Sequence, residues 1–391
     1  MSAVTRLIRD ALDAIRARNH YRVMRPFAML QRGRVERDGA TMLDFSSNDY
    51  LGLAQHPLLK QRAIEWTERH GTGAGASRLV TGTSPLHIAV ERKLAAFKGS
   101  EAALIFASGW QANAAVIPAI VQAAPGAQLF TDRLIHASLH HGCAAAGVRQ
   151  IRFRHNDLDH LESLLVVRDD QPRPRIIITE SIFSMDGDGP DLGRLAALAK
   201  AHDAFLILDE AHATGVTGPR GAGLSAAGPG GVDLVIGTFS KAFGAFGAYV
   251  SGSQLLCDYL VNACSGFIFS TAPPPAVLGA IDAGLDLVPS MDAERAHLAA
   301  MADHIRGRLR AAGFDTGAST SQIIPLVIGD AAETVVLSRR LEEQGILAAA
   351  IRPPSVPPGS SRLRLALRAT HDAADIGRLL DSLTERAPKA A

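Results

Sequence analysis

Leu234-Val-Ile-Gly-Thr-Phe-Ser-Lys241-Ala-Phe-Gly244 joins a short apolar run to a lysine in a turn rich in hydroxyls and glycine. The run reads as a strand buried on both faces, the usual condition of a parallel sheet covered by helices. A lysine at the buried end of such a strand is costly to keep as a free ammonium. Desolvation lowers its pKa, so the amine becomes able to attack a carbonyl and be stored as an imine. Thr238 and Ser240 flank it with hydroxyls that can reach a phosphate. Taken alone, Ser-Lys-x-Phe-Gly reads equally as a surface lysine on a turn, so the rest of the chain has to arbitrate.

Working outward, four more short apolar runs precede this one, at 103–106, 128–131, 176–179 and 205–208. Helical patterns lie between them. At 192–202, Leu195, Leu198 and Ala199 share a stripe. Another helix opens at Thr83-Ser84-Pro85, a polar cap followed by proline, and closes at Gly99. The last third changes character. A long helix is expected over 293–312, then an apolar strand at 322–328 and a helix to Gln344. Arg362-Leu-Arg-Leu-Ala-Leu-Arg368 alternates like a half-exposed strand. The expected fold class is therefore α/β, a large domain with a mostly parallel sheet and a smaller α+β C-terminal domain. We place the boundaries at 1–48 for an N-terminal helical arm with a short strand pair, 49–285 for the large domain and 286–391 for the small one. Residues 387–391 are expected to fray.

Loops after parallel strands are where open α/β sheets bind ligands. Asp209-Glu-Ala-His212 follows one apolar run. Asp209 there suits the proton of a pyridinium nitrogen, and His212 a phenolic oxygen; a helix-capping Asp and a satisfied His are the plain alternative. Ser108-Gly109-Trp110 runs from a strand into a helix, where backbone N–H groups and the helix dipole favour phosphate. In Asp132-Arg-Leu-Ile-His136-Ala-Ser-Leu-His140-His141-Gly-Cys143, His136 and His140 stand four apart with Cys143 near, so zinc is conceivable. No fourth ligand has sensible spacing, and stacking of His136 on a flat aromatic cofactor is preferred, with no metal expected. An amine, a ring-nitrogen carboxylate and a phosphate turn in this order point to pyridoxal 5'-phosphate.

Composition narrows the alternatives. Forty Lys and Arg against 39 Asp and Glu give a formal charge of +1 over 391 residues, which offers no basic excess for a nucleic acid. Three cysteines without C-x-x-C spacing read as reduced thiols. The uncharged stretches 102–131 and 261–281 are broken by prolines and glycines, whereas a membrane helix needs about 20 unbroken apolar residues. A cytoplasmic protein with no membrane partner is expected.

The motifs together resemble the α-oxoamine synthases, fold type I pyridoxal-phosphate enzymes, along nearly the whole chain. The resemblance rests on Ser46-Ser-Asn-Asp-Tyr-Leu-Gly-Leu53, Gly71-Thr-Gly-Ala-Gly-Ala-Ser-Arg78 with Thr81-Gly-Thr83, and Ser184-Met-Asp-Gly-Asp188. Asp209-Glu-Ala-His212, Thr238-Phe-Ser-Lys241, Phe269-Ser-Thr271 and Ile351-Arg-Pro-Pro-Ser355 with Arg362-Leu-Arg364 complete it. The run 350–359 is nearest to the biotin-pathway branch. It implies condensation of L-alanine with pimeloyl-CoA or a pimeloyl-carrier protein, with loss of carbon dioxide. Sister activities with glycine or serine remain open, as does a remote non-enzymatic regulator. An aminotransferase fits the Arg-Pro-Pro and Ser-Met-Asp-Gly-Asp runs poorly.

The resemblance also implies roles. Lys241, His136, Asp209 and His212 would be catalytic. Gly109, Trp110 and Thr238 would surround the phosphate, and Ser184 with His212 the phenolic oxygen. Ser270 and Thr271 would arrive from the second subunit of a homodimer. Arg364 and Asn48 are candidates for the alanine carboxylate, Arg22 for the acyl substrate, and Ser355 and His136 for substrate contact. Two departures are small: Trp110 stands where Phe or Tyr is commoner, and Ser355 where Thr is common.

Overall fold

The computed structural model describes residues 1–18, 21–166, 173–228 and 230–384. The expected fraying at 387–391 lies outside them. After a helix at Ala3–Ala17, the short strands β1 (Ala28–Met29), β2 (Arg34–Arg37) and β3 (Ala40–Asp44) form an antiparallel ribbon. The central sheet follows: β4 (Ala102–Phe106), β5 (Gln128–Asp132), β6 (Gln150–Phe153), β7 (Arg175–Glu180), β8 (Ala204–Asp209), β9 (Leu234–Thr238) and β10 (Ala248–Gly252). Its spatial order is β4-β10-β9-β8-β7-β5-β6, and β10 runs against its neighbours while β5 to β9 are parallel.

The five apolar runs are all strands of this sheet, and their continuous hydrophobicity has a direct cause. One face packs on the helices Gly109–Ala123, Ala137–Ala145 and Gln254–Ala263. The other packs on Pro85–Lys98, Leu158–Val166 and Leu192–Ala201. β6 is an edge strand with the mixed pattern Gln-Ile-Arg-Phe, and β10 begins in a glycine-rich turn. Neither has the continuous apolar signature.

The C-terminal part carries β11 (Ile323–Gly329), β12 (Ile346–Leu347), β13 (Ala349–Ile351) and β14 (Ser361–Ala366). β14 lies between β11 and β13, and all six of its residues are buried. The half-exposed strand expected there is thus corrected. Arg362 and Arg364 point inward because a loop of the large sheet, 184–188, receives both guanidinium groups. β12 pairs in parallel with β3, which ties the N-terminal ribbon to the C-terminal part. One apolar cluster runs from Leu43 through Phe243 to Leu383 without interruption.

Behind the sheet, Lys98 and Glu210 form an ion pair at 2.6 Å, both almost wholly shielded from solvent. Glu210 also accepts from the Ser225 amide and hydroxyl, each at 2.8 Å, and Lys98 donates to the Ala222 carbonyl. The pair thus pins the segment 210–225 that begins at the site. Removing one partner leaves the other charge buried and unmatched. Lys98→Met is expected to lower unfolding stability by ~3–5 kcal/mol, read by urea unfolding of the cofactor-free protein.

Candidate active site

Asp132, Glu180, Asp209 and Thr238 are the last residues of β5, β7, β8 and β9, so four polar side chains meet at the carboxyl edge of the sheet. Glu180 and Asp209 are register partners on adjacent strands. The turn after β9 brings Lys241 over this edge. Gly244 closes that turn with φ +61°, and a Cβ there would collide with the backbone of Leu53 and Ala54.

Lys241 Nζ lies 2.8 Å from His212 Nε2. His212 Nδ1 lies 2.6 Å from the Tyr50 hydroxyl, which also contacts Asn48 Oδ1 at 3.1 Å and receives Arg364 at 3.3 Å. The His212 carbonyl accepts from the Gln322 amide at 2.8 Å. On the other side, Asp209 Oδ1 accepts the Ala211 amide at 2.8 Å, and Oδ2 accepts Asn113 at 2.9 Å. His136 caps the helix that begins at Ala137, and its backbone N–H donates to Glu180 at 2.5 Å.

Burial is the main force on the protonation of this cluster. It pushes Lys241 down to about 8, although Asp209 and Glu180 pull the other way. Burial lowers His212 well below the usual range, reinforced by Lys241 and Arg364. Burial also lowers His136, helped by Lys241 and His140 and opposed by Asp209. Glu180 is raised well above the carboxylate range by burial and by Asp209 beside it. The unfolded chain binds the lysine proton up to about 10.4, and the folded one releases it near 8. Between these values the unfolded state holds more protons, so the cofactor-free protein gains stability as pH rises. The reaction of Lys241 with added pyridoxal phosphate is expected to slow by about tenfold per pH unit below 8 and to level off above it. Stopped-flow absorbance checks this, with Lys241→Ala as blank.

The loop Ser184–Asp188 is held from three sides. Arg364 Nε donates to the Ser184 carbonyl at 2.5 Å, and Arg362 binds the Met185 carbonyl and the Asp186 carboxylate. His155 bridges Asp132 and Asp188 at 3.0 and 3.1 Å. Burial works against its charge, but the hydrogen bonds to both carboxylates outweigh it and raise His155 to about 10. Gly187, at φ +68°, lies where a Cβ would strike the Ile323 carbonyl.

The other expected residues fall as follows. Gly109 opens its helix behind the Ser108 cap, and a Cβ there would meet nothing within 4 Å. Trp110 is half exposed, with its ring 6.5 Å from His136 and 5.5 Å from His141. The Thr238 hydroxyl donates to the Gly247 carbonyl at 2.8 Å. Ser270 and Thr271 line a small cavity with Arg78, Ala107 and Gln111 of the same chain. Arg22 and Ser355 lie together on a separate cavity of about 170 Å³ with Arg352. The zinc candidate is not assembled: His140 bonds Gln150, and burial lifts the Cys143 thiol to about 12. Among the described residues the one grouping of possible metal ligands is His155, Asp186 and Asp188, where Arg362 and His155 already match the charge.

Residues missed as site members are Tyr50, Asn113, Ser138, Glu180 and Gln322. Glu180 carried a usable signal, a carboxylate ending an apolar run like Asp209. Tyr50 sat inside a motif without an individual signal, and Asn113 follows the Ser108-Gly109-Trp110 turn without one.

The donor set fits pyridoxal phosphate: a shielded amine for the aldehyde, a buried carboxylate for the ring nitrogen, an imidazole beside it, and an open helix N-terminus for the phosphate.

The comparisons agree. The profile of the family "Aminotransferase class I and II" matches residues 40–383. A Bordetella pertussis protein named putative 8-amino-7-oxononanoate synthase is 60% identical over 98% of this chain and 97% of its own. The 8-amino-7-oxononanoate synthase of Gluconacetobacter diazotrophicus is 59% identical over 96% of both chains. Among solved structures, a serine palmitoyltransferase of S. paucimobilis with a bound PLP–myriocin adduct superposes with TM-score 0.91 at 27% identity, covering 98% of each chain. The 8-amino-7-oxononanoate synthase of Francisella tularensis shares the fold at TM-score 0.77 and 24% identity, over 88% of this chain and 97% of that one. This chain therefore belongs to the aminotransferase class I and II family of fold type I pyridoxal-phosphate enzymes, on the α-oxoamine synthase branch of the 8-amino-7-oxononanoate synthases.

Proposed function

We propose that the site condenses L-alanine with a pimeloyl thioester, from CoA or a carrier protein, to 8-amino-7-oxononanoate, carbon dioxide and a free thiol. The observation that carries this reading is Lys241 Nζ 2.8 Å from His212 Nε2, over the sheet edge where Glu180 and Asp209 end adjacent strands. The relatives' names supply the substrates, since 8-amino-7-oxononanoate is built from alanine and a pimeloyl group.

Bound pyridoxal phosphate supplies an electrophilic aldehyde and an electron-withdrawing ring. Lys241 would hold it, and its Nζ would serve as the general base for the proton on the alanine Cα. Asp209 would hold the proton of the ring nitrogen, so that negative charge developing at Cα is stabilised. His212, backed by Tyr50, orients the lysine and, with Ser184, would meet the phenolic oxygen. His136 would stack on the ring, and Gly109, Trp110 and Thr238 would border the phosphate. Arg364 and Asn48 share the Tyr50 hydroxyl as a hydrogen-bond partner, and together they would bind the alanine carboxylate. The acyl chain lies toward Arg22 and Ser355. Arg22→Ala is expected to raise the KM for pimeloyl-CoA about tenfold, the value of one charged hydrogen bond, with kcat changed less.

The enzyme acts in the cytoplasm as a homodimer with Ser270 and Thr271 shared between sites. Phe269 beside them is 84% exposed, an apolar ring available for a partner subunit to cover.

Thiol release tests the substrate pair. The holoenzyme receives pimeloyl-CoA with L-alanine, acetyl-CoA with glycine, or succinyl-CoA with glycine. Fastest release with alanine and pimeloyl-CoA supports the proposal, and faster release with a glycine pair moves the chain to a sister activity.

A further inference from the structure

Asn113 and Ser138 have no role in the reaction described above, yet both are buried, at 2% and 1% exposure, and both touch its residues. Asn113 Nδ2 donates to Asp209 Oδ2 and to Ser138 Oγ, each at 2.9 Å. The flipped amide would set an oxygen against a carboxylate, so chemistry fixes this orientation. Asn113 Oδ1 has no hydrogen-bond partner among the described residues. A buried orphan acceptor is a cost that an apolar side chain of the same shape avoids, so the residue is held here for its two donors.

Ser138 Oγ lies 2.7 Å from His136 Nδ1, and the Ser138 backbone N–H donates to the same Nδ1 at 3.3 Å. A backbone N–H only donates, so Nδ1 must carry the lone pair. The Ser138 hydroxyl, already accepting from Asn113, then directs its own hydrogen to Nδ1 as well.

We infer that Asn113 and Ser138 are positioning residues, a hydrogen-bond relay from Asp209 that locks His136 as the neutral Nε2–H tautomer. Nε2–H is then the hydrogen that the ring presents to cofactor and substrate. The inference rests on His136 and Asp209 being site residues as proposed above. The titratable groups facing His136 are Asp209, Lys241 and His140, with Glu180 on its backbone N–H. The relay adds two donors to Nδ1 that disfavour a proton there, in line with the direction in which burial moves this imidazole.

Ring-nitrogen NMR on holoenzyme labelled with ¹⁵N-histidine tests this, with His136 assigned by its loss in His136→Asn. The expected wild-type spectrum at neutral pH shows a protonated Nε2 and a bare Nδ1. Ser138→Ala and Asn113→Leu should each raise the titration of His136 by about half a pH unit or more, and the double variant should add little, because both break one relay. In each, kcat is expected to fall about tenfold with the KM for the acyl thioester unchanged. A protonated Nδ1 in the wild type overturns the inference, as does a His136 titration unmoved by both substitutions. The spectra need no substrate, so a failed substrate assignment and a failed relay give different results.

Discussion

Lys241→Ala is expected to release no thiol above the blank, a loss of about 10⁴-fold or more, because on the proposed mechanism one substitution removes both the covalent anchor and the general base. The rest of the site stays assembled. His212 keeps Tyr50, and Asp209 keeps Asn113 and the Ala211 amide. Pyridoxal phosphate should therefore still bind, with the absorption of the free aldehyde in place of the imine. Small primary amines should restore a part of the activity. Thiol release and absorbance spectra read both effects, and activity within about tenfold of wild type would remove Lys241 from the chemistry.

Asp209→Asn keeps the shape of the side chain and removes its charge, and kcat is expected to fall about 10²–10³-fold, the scale of losing one preorganised electrostatic group. The amide cannot hold a proton on a pyridine nitrogen. It also sets an NH₂ or a carbonyl against the Asn113 donor, so one hydrogen bond of the relay weakens. Asp209→Glu retains charge but displaces it, and should recover part of the loss. Single-turnover absorbance with L-alanine alone separates this from weaker cofactor binding. A variant that loses the α-proton of alanine as fast as wild type would contradict the role given to Asp209.

The sheet was legible because strands buried on both faces have to be apolar throughout, as at Leu234–Thr238 and Ala204–Asp209. It stopped being legible at the edge strand Gln150–Phe153, which is only partly buried, and at Ala248–Gly252, which is buried between two neighbours but carries Tyr249, Ser251 and Gly252 in place of a continuous apolar run. Alternation in Arg362-Leu-Arg364 suggested an exposed face. Both guanidinium groups are buried instead, because the loop Ser184–Asp188 comes from 180 positions away in sequence to meet them, and periodicity carries no trace of such a partner. Lys241, Asp209 and His212 were readable from their places after apolar runs, and the structure brings them together. Tyr50 and Ser138 were not, since a tyrosine and a serine gain their roles only from the neighbours that folding supplies. The joint cavity of Arg22 and Ser355 likewise depends on the N-terminal arm reaching the C-terminal part.

The most direct test of the central claim is product analysis with L-alanine labelled in its carboxyl group and pimeloyl-CoA. The holoenzyme should release labelled carbon dioxide and form unlabelled 8-amino-7-oxononanoate in equal amounts, with neither produced by Lys241→Ala. Thiol release with the label retained in an acylated alanine, or pyruvate accumulating in place of the amino ketone, would contradict decarboxylative condensation at this site.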